Sequence, residues 1–288
     1  MKLSVILPCF NSANTIAVQL EALAKQQWSE PWEVIVSDNG STDSSVAIVE
    51  QYKEQIPNLR IVDSSDKRGA SHARNVAAKV ANGDALAFID DDDEVAPGWL
   101  AAMGEALSKH DFVAGRLEHK KLNEPWVVKC HKSEEDKGIF VNTGHLPFAG
   151  TCNLGIKRSL HDAIGGFDET LIRHQDVDYC WRLQQAGTKL DYVPEALVHY
   201  RLRNTIAKMY QRAWITGESE ARLYKKHRPL GMPRIISWKT FVKASVMLPL
   251  QLVLLKVRNK ESLAMWLMHF AWRAGELRGC IKYRYLPL

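Results

Sequence analysis

Short apolar runs alternate with amphipathic segments through the first 110 residues of the chain. The apolar runs predict four strands, at residues 3–7, 33–37, 59–62 and 85–89. The segments between them predict helices, at residues 15–27, up to about 55, 69–81 and from about 97 onward. Strands that are apolar along their whole length and separated by helices are typical of a parallel sheet covered on both faces. Ligands bind such sheets at the carboxyl ends of the strands, beside a topological switch point.

The pattern is less regular from residue 111 to about 203 and then becomes helical throughout. The middle part predicts strands and a helix between two long polar loops, with strands at 112–115 and 151–156, the helix at 174–186, and the loops around 123–125 and at 132–137. The last part predicts helices at 206–227, at 240–255 and from 263 onward. The apolar segment 240–255 has 16 residues, fewer than the ~20 that a membrane-spanning helix needs.

Composition places the chain among ordinary globular proteins, but its charge is unevenly distributed. Apolar residues make up 46% and charged residues 25% of the 288, which excludes a disordered or collagen-like chain. The net charge of +5 divides into −9 for the first 200 residues and +14 for the remainder, where 18 basic residues face four acidic ones. An acidic body with a basic, tryptophan-containing C-terminal region is therefore expected.

Cysteine usage and the N-terminus indicate a reducing compartment. The five cysteines are an odd number, widely scattered and without a C-x-x-C pair, which argues against a disulfide framework and a structural zinc site. The first apolar run ends at Pro8, so it is shorter than the ~7–15 residues of an export signal. We expect a cytoplasmic protein, peripheral on the inner face of the cytoplasmic membrane.

Candidate chemistry follows each of the first four predicted strands. The fourth is followed by four consecutive aspartates, Asp90–Asp93, and hard divalent cations prefer such carboxylate oxygens. The other interpretation of this run is a solvated acidic turn that caps the next helix. Asp38 follows the second strand, where it suits a ribose or a base, although turn chemistry also explains the Asn39-Gly40 pair after it. A basic, glycine-containing segment at 67–75 follows the third strand and suits a phosphate.

Together these segments resemble the family-two glycosyltransferases of the GT-A fold, which use nucleotide-diphospho-sugars. The motifs that carry the resemblance cover about the first 200 residues and are VILPCFN (5–11), VSDNGSTD (36–43), RGASHARN (68–75), FIDDDD (88–93), GTCNLGIKR (150–158), GGFDE (165–169), QDVDYCWR (175–182) and VHYR (198–201). Neither a P-loop pattern nor a G-x-G-x-x-G pattern occurs, which counts against a P-loop NTPase and a dinucleotide dehydrogenase.

The resemblance implies a nucleotide site made of residues that follow the first three strands. Pro8, Phe10 and Asn11 would lie against the nucleotide base, and Asp38 would bind the base or the ribose. Arg74 would help to hold the nucleotide. The donor would be a UDP-, GDP- or dTDP-sugar.

The resemblance also implies a divalent metal, Mg²⁺ or Mn²⁺, at the acidic run. Asp90 and Asp92 match the family's D-x-D motif, with Asp92 the more direct metal ligand, and Asp91 stands where a small residue is common. Asp90 and Asp91 also belong to the implied donor-binding set. His199 matches a histidine that sometimes approaches the metal or the diphosphate, and a buried structural histidine is the equal alternative.

The catalytic base implied by the resemblance is Asp176, the aspartate of the family's E-D pair. Gln175 replaces the usual glutamate, which leaves the base in place but removes a neighbouring charge. The implied reaction is a single in-line displacement with inversion at the anomeric carbon. The Q-x-x-R-W motif of processive members is absent, because Gln211-Arg212-Ala213-Trp214 has the wrong spacing, so transfer of one sugar is expected.

The resemblance and the charge division predict two regions. Residues 1–203 would form the GT-A domain, with a nucleotide-sugar-binding half at 1–110 and an acceptor-binding half at 111–203. Residues 204–288 would form a basic, tryptophan-rich helical extension, to which the sequence assigns no chemistry. This extension either lies on an anionic membrane surface or caps the domain, and the membrane is favoured. The expected acceptor is a glycan or a lipid-linked molecule, in polysaccharide or glycolipid synthesis.

Three other functions fit parts of the sequence. A GT-A sugar nucleotidyltransferase would need a glycine-rich basic loop after the first strand, where Asn11-Ser12-Ala13-Asn14 stands instead. A catalytically silent module that binds a membrane or a partner is favoured only by Gln175. Nucleic-acid binding through the basic extension has no accompanying motif, so no nucleic-acid partner is expected.

Overall fold

The computed structural model describes residues 1–56, 58–131, 138–141, 145–233, 238–254 and 256–286. The strands are β1 (Leu3–Cys9), β2 (Trp32–Asp38), β3 (Leu59–Asp63), β4 (Ala85–Ile89), β5 (Glu94–Val95), β6 (Phe112–Glu118), β7 (Asn153–Lys157) and β8 (Asp191–His199). The helices are α1 (Ile16–Ala24), α2 (Ser45–Glu50), α3 (Ala70–Val80), α4 (Trp99–Lys109), α5 (Pro125–His131), α6 (Arg158–Ala163), α7 (Gln175–Gln185), α8 (Ile206–His227), α9 (Trp238–Val253) and α10 (Lys260–Tyr283).

One mixed sheet runs through the molecule in the order β3-β2-β1-β4-β7-β6-β8-β5. The strands from β3 to β4 are parallel, as the sequence predicts, and β7 runs antiparallel to both of its neighbours. β1 lies between β2 and β4, so the chain order reverses at β1. The carboxyl ends of these three strands therefore meet at one edge of the sheet, where a ligand crevice is expected.

Alternate residues of the central strands fill two cores, one on each face of the sheet. On one face Val5 and Leu7 of β1 pack with Leu20 of α1 and other apolar side chains. On the other face Ile6 packs in the cluster that contains Tyr179 of α7. A strand buried on both faces must be apolar at every position, which is why these runs are continuous in the sequence.

The predicted loop around 123–125 is only partly a loop, because α5 begins at Pro125. Proline suits the first turn of a helix, where its missing N–H would have no partner in any case. Val127 and Val128 of this short helix then pack with Met209 of α8 and Ala264 of α10. The predicted loop is therefore confirmed at residues 123 and 124 and wrong from Pro125 onward, where this packing decides the conformation. The second predicted loop, at 132–137, lies outside the described residues.

The C-terminal helices are joined to the sheet domain through α8. The Asp178 carboxylate of α7 accepts hydrogen bonds from His227 Nε2 at 2.8 Å and contacts Lys226 Nζ at 2.6 Å. Helix α10 packs closely on α8 at two glycines, Gly217 of α8 and Gly275 of α10. A Cβ atom added at Gly217 would lie 2.2 Å from a carbonyl oxygen of α10, and one added at Gly275 would lie 2.1 Å from a carbonyl oxygen of α8. Helix α8 is thus a cap on the body. None of the described helices is long and apolar enough to cross a bilayer.

Candidate active site

The nucleotide-side residues of the crevice follow β1. Phe10 is exposed to 47%, and the Arg68 guanidinium lies 4.2 Å from the centroid of its ring. Asn11 is also exposed and adopts a left-handed backbone conformation, with φ of 50°. Pro8, in contrast, is buried inside β1. Of the three residues predicted to lie against a base, Phe10 and Asn11 are therefore accessible at the surface.

Asp38 and Asn11 also organise the turn that follows β2. The Asp38 carboxylate accepts a hydrogen bond from the backbone N–H of Ser41 at 3.1 Å. The Asn11 side-chain oxygen accepts one from the backbone N–H of Thr42 at 2.8 Å. The turn interpretation of Asp38 therefore applies, and the side chain also lies at the carboxyl end of β2. Its contact with a ribose or a base remains a prediction.

Arg74 and Asp90 form an ion pair at the carboxyl end of β4. The Arg74 Nη2 atom lies 2.5 Å from Asp90 Oδ1, and the Arg74 side chain is only 3% exposed. Its Nε and Nη1 atoms are buried and have no hydrogen-bond partner among the described residues. Buried polar groups without a partner are costly, so these two donors are available for an anion such as the phosphate of a nucleotide.

The acidic run has strongly perturbed ionisation. Burial raises the pKa of Asp91 to about 7, and the charges of Asp92 and Asp90 add to the shift. Burial, with the same two neighbours, also raises the pKa of Asp93 well above its usual value. The Asp93 Oδ1 atom accepts the Arg201 N–H at 2.7 Å, while Oδ2 is buried without a partner in the described part of the chain. A cation near these carboxylates would relieve their repulsion.

The described side chains that could share a metal ion are Asp90, Asp93 and Cys152, whose ligand atoms lie within 4.8 Å of one another. Burial raises the pKa of the Cys152 thiol well above its usual value, so the thiol is neutral and a poor ligand for a hard cation. The two carboxylates are oxygen donors of the kind that Mg²⁺ and Mn²⁺ prefer. The donor set therefore fits the implied metal through Asp90 and Asp93.

The other two predicted ligands have protein partners in the structure. Asp92 Oδ2 lies 2.7 Å from Nη1 of Arg203, and His199 Nδ1 lies 2.7 Å from Oε2 of Glu118. Neither belongs to the group formed by Asp90, Asp93 and Cys152. The roles of Asp92 and His199 at a metal remain predictions. The sequence pointed to the acidic run but not to Asp93, because a D-x-D match does not show which carboxylates share a pocket.

Asp176 lies in the first turn of α7 and faces the same region as the acidic run. After burial, the negative charges of Asp93, Asp90 and Asp176 are the main causes that raise the pKa of the Cys152 thiol, so all three carboxylates lie within electrostatic range of one side chain. The role of Asp176 as the catalytic base remains a prediction.

The backbone just before Asp176 is held in an uncommon conformation. His174 has a φ of 60°, in the left-handed region, which non-glycine residues rarely adopt. Its Nε2 atom is bonded to the Thr216 carbonyl oxygen of α8 at 3.2 Å. Strained residues of this kind cluster at functional sites. Helix α8 therefore takes part in positioning Asp176.

A basic cavity of about 330 Å³ lies beside α8, and sequence reasoning missed it. Its lining residues come from three separate segments: Arg173, Arg203, Lys208, Gln211, Arg212 and Ile215. Arg212 Nη2 donates a hydrogen bond to the Tyr200 hydroxyl at 3.1 Å. The one signal in the sequence was the Gln211–Trp214 segment, whose spacing matched no motif. The C-terminal region therefore contributes side chains to a basic cavity, which the sequence did not predict.

Comparison with protein families and relatives is consistent with this site. The model of "Glycosyl transferase family 2" matches residues 4–165, and that of "Glycosyl transferase family group 2" matches residues 85–275. Glycosyltransferase AglE of Haloferax volcanii is 28% identical over 197 residues, which are 67% of this chain and 65% of the relative. A poly(ribitol-phosphate) beta-glucosyltransferase of Bacillus spizizenii is 37% identical over 145 residues, 48% of this chain and 22% of the relative. The chain spans about 62 to 65% of the length of curated relatives such as AglE and YibD of Escherichia coli.

Solved structures with the same architecture confirm the predicted fold. The mannosyltransferase PcManGT from Pyrobaculum calidifontis, in complex with GDP-Man and Mn²⁺, has a TM-score of 0.66 and 19% identity, and the match covers 97% of this chain and 87% of that one. S. aureus TarS 1–349 in complex with UDP has a TM-score of 0.55 and 20% identity, with 99% and 91% covered. The mixed, mostly parallel sheet with its C-terminal helices is a GT-A fold.

Proposed function

Since this chain belongs to glycosyl transferase family 2, we propose that it transfers one sugar from a nucleotide-diphospho-sugar to an acceptor hydroxyl, with inversion at the anomeric carbon. The observation that carries this proposal is the group of Asp90, Asp93 and Cys152, whose ligand atoms lie within 4.8 Å of one another, with the Asp176 charge of α7 acting on the same Cys152 thiol. Two of these carboxylates suit a cation at the donor, and the third suits the acceptor. A solvated acidic turn would not need a facing carboxylate from a separate helix.

Asp176 is the proposed general base. It takes the proton of the acceptor hydroxyl while that oxygen bonds to the anomeric carbon and the bond from this carbon to the diphosphate oxygen breaks. The electron pair of the broken bond leaves with the nucleoside diphosphate. One displacement inverts the configuration, and positioned general-base catalysis is typically worth ~10²–10⁴-fold in rate.

Asp90 and Asp93 would hold Mg²⁺ or Mn²⁺ in this proposal. When bound, the ion supplies Lewis-acid stabilisation of the charge on the departing diphosphate. Arg74 keeps Asp90 in place through their ion pair and directs its remaining donors toward the same anion. Asp91, whose pKa burial raises to about 7, accepts the Phe10 N–H at 3.2 Å and so ties β1 to the acidic run.

The donor and the acceptor are proposed from the chemistry of relatives and neighbours. Structural neighbours bind UDP, UDP-GlcNAc and GDP-Man, which supports a UDP- or GDP-sugar, with a dTDP-sugar as a further candidate. Relatives named for poly(ribitol-phosphate) glycosylation support a glycan, or a lipid-linked precursor of one, in the synthesis of a cell-surface polymer.

Replacing Asp176 with asparagine tests the base. Asp176→Asn should lower the release of UDP or GDP from a panel of nucleotide sugars, with acceptor present, by about 10²–10⁴-fold. Binding of the nucleoside diphosphate should stay within twofold. Asp162→Asn is the matched control, because Asp162 is 59% exposed on α6. Turnover equal to that of the control would remove Asp176 as the base.

We also propose that the C-terminal helices lie against the anionic inner face of the cytoplasmic membrane. Apolar side chains on α9, including Val242 and Val246, are more than half exposed, and Lys239 and Lys243 on the same helix are exposed as well. Such a combination favours an interfacial position on anionic lipid.

Point substitutions on α9 test the proposed membrane contact and leave the packing of α8 on the rest of the protein intact. Val246→Glu should lower co-sedimentation with vesicles that contain phosphatidylglycerol, because it puts a negative charge into the apolar contact. Val141→Glu is the control, since Val141 is 62% exposed but lies outside the C-terminal region. Equal sedimentation of the two variants and the unchanged protein would contradict a lipid contact through α9.

A further inference from the structure

We propose that the basic cavity beside α8 binds a phosphate group of the acceptor, next to the hydroxyl that Asp176 deprotonates. This proposal rests on the proposed function and narrows the acceptor to a molecule that carries a phosphate monoester or diester. The residues that define the site are Arg173, Arg203, Lys208 and Arg212.

The lining of the cavity contains four cationic side chains and no carboxylate. Among its cations, Arg203 is paired with Asp92 at 2.7 Å. No described carboxylate lies within ion-pair distance of Arg173, Lys208 or Arg212. Burial, together with the positive charge of Arg212, lowers the pKa of Arg173, which reflects the mutual repulsion of these groups. An anion in the cavity would relieve that repulsion.

The geometry of the lining groups suits phosphate. Arg173, Arg203 and Arg212 are partly buried, whereas Lys208 is exposed, so the guanidinium groups line the interior and the ammonium group lies at the mouth. Guanidinium groups offer paired N–H donors that match phosphate oxygens, and they bind oxyanions well when partly desolvated. A cavity of about 330 Å³ admits a phosphate with several attached carbon atoms.

The position of the cavity places its ligand on the acceptor side. Arg173 is three residues before Asp176, and the Asp176 charge acts on both Arg173 and Arg212. The cavity is therefore close to the proposed base. The donor's diphosphate belongs at the carboxyl end of β4, where Arg74 has unpartnered donors beside Asp90. The Arg203–Asp92 ion pair lies at the boundary between the two sites.

The test uses glycerol 1-phosphate as the probe and glycerol as its neutral counterpart. Isothermal titration calorimetry measures both with the full chain, with and without saturating UDP or GDP and Mg²⁺. The variants are Arg173→Gln and Lys208→Gln. Lys225→Gln is the matched control, since Lys225 is exposed on the same helix as Lys208 and is bonded to the Tyr283 carbonyl oxygen at 3.0 Å. The Tm of each variant shows that it is folded.

We expect glycerol 1-phosphate, but not glycerol, to bind whether or not the nucleotide is present. Its Kd should rise about tenfold in Arg173→Gln, which loses a charge-assisted hydrogen bond, and about threefold in Lys208→Gln. It should stay within twofold in Lys225→Gln. Nucleotide affinity should be unchanged in all three.

Two results would overturn the proposal. One is no binding of glycerol 1-phosphate, or the same Kd in Arg173→Gln and Lys225→Gln. The other is competition between glycerol 1-phosphate and the nucleoside diphosphate, together with a weaker affinity for both ligands in Arg173→Gln. That result would assign the cavity to the donor. If glycerol 1-phosphate binds as expected while no nucleoside diphosphate binds, the phosphate site stands and the proposed transferase function fails.

Discussion

Different interactions stabilise the acidic body, residues 1–203, and the basic C-terminal region, residues 204–288. In the body, side chains such as Val5 and Ile6 fill the two faces of a sheet. In the C-terminal region, the α8 and α10 backbones come into contact at Gly217 and Gly275, where no larger residue fits. The central strands β1 and β4 therefore carry no charged residue, whereas the helices can carry charge on their exposed surface.

The positive charge of the C-terminal region, which totals +14, does not form one continuous surface. Lys226 pairs with the body at Asp178. Lys282 pairs within the region, with Glu218 of α8. Arg212 and Lys208 line the cavity beside the proposed base. The positive charge is thus divided among ion pairs with the body, ion pairs within the region and the lining of the basic cavity.

The contact between the two regions depends most on Asp178, and Asp178→Asn should have the largest effect on stability. This fully buried carboxylate faces His227, Lys226 and Arg182, all within 2.8 Å. Removing its charge leaves the half-buried Arg182 without a carboxylate partner, whereas Lys226 keeps its second partner, Asp168. Breaking a buried ion pair of this kind typically costs about 3–5 kcal/mol. Urea unfolding measures the loss. Asp162→Asn, the exposed control, should lose less than about 1 kcal/mol.

The same carboxylate predicts a loss of stability in acid. Burial works to raise the pKa of Asp178, but the His227 hydrogen bond and the Arg182 charge outweigh it, so the pKa is lowered. The contribution is therefore present above the unfolded pKa of about 3.9 and is lost as the pH falls through the folded pKa. The unfolding free energy of the unchanged protein should fall below about pH 4 more steeply than that of Asp178→Asn. Parallel curves would contradict this role.

The close packing of α8 and α10 predicts an intermediate effect for Gly275→Ala. The added methyl group would lie 2.1 Å from the Trp214 carbonyl oxygen, so the helices must separate, at a cost of about 1–3 kcal/mol. Leu277→Ala, at a position 48% exposed on the same helix, is the control and should cost less than about 1 kcal/mol. Thermal unfolding compares the two, and a neutral Gly275→Ala would mean that the helices are not in contact there.

Substitution of Glu220 should have the smallest effect on the free energy of unfolding. Its pH dependence should be opposite to that predicted for Asp178. Burial, with the nearby Glu276 charge, raises the pKa of Glu220 to about 7, so ionisation destabilises the folded state as the pH rises from about 4 to 7. Glu220→Gln should therefore raise stability at pH 8 more than at pH 5. The gain should be at most about 1 kcal/mol, because the side chain is partly exposed to a cavity beside α9. Glu105→Gln, at an exposed position, should show no such difference.

The strands β1, β2 and β4 could be predicted from the sequence because burial on both faces leaves an uninterrupted apolar run, whereas β5 and the partly exposed β8 were not predicted. Ala85–Ile89 and the helix Ile206–His227 have the predicted bounds. Helix α5 could not be predicted, because its formation depends on packing against Met209 and other residues that are distant in the sequence.

The candidate site was only partly predictable for the same reason. Asp90 and Asp176 stand in motifs, so the sequence pointed to them directly. Cys152 joins Asp90 and Asp93 because β4 and β7 are adjacent in the sheet. The basic cavity brings Arg173 next to Arg212 of α8. No local sequence pattern encodes the proximity of Arg173 and Arg212. The segment 211–214 did not indicate it either, because its spacing differs from that of the Q-x-x-R-W motif.

The most direct test of the account is the change in Tm on adding UDP, GDP or dTDP, each with and without Mn²⁺. If the crevice holds a nucleoside diphosphate with a cation at Asp90 and Asp93, one of these nucleotides at 100 times its Kd should raise the Tm by roughly 5 °C. The shift should require the metal, and Asp93→Asn should lose the metal-dependent part. No shift with any of the three nucleotides, or the same metal-dependent shift in Asp93→Asn, would contradict the account.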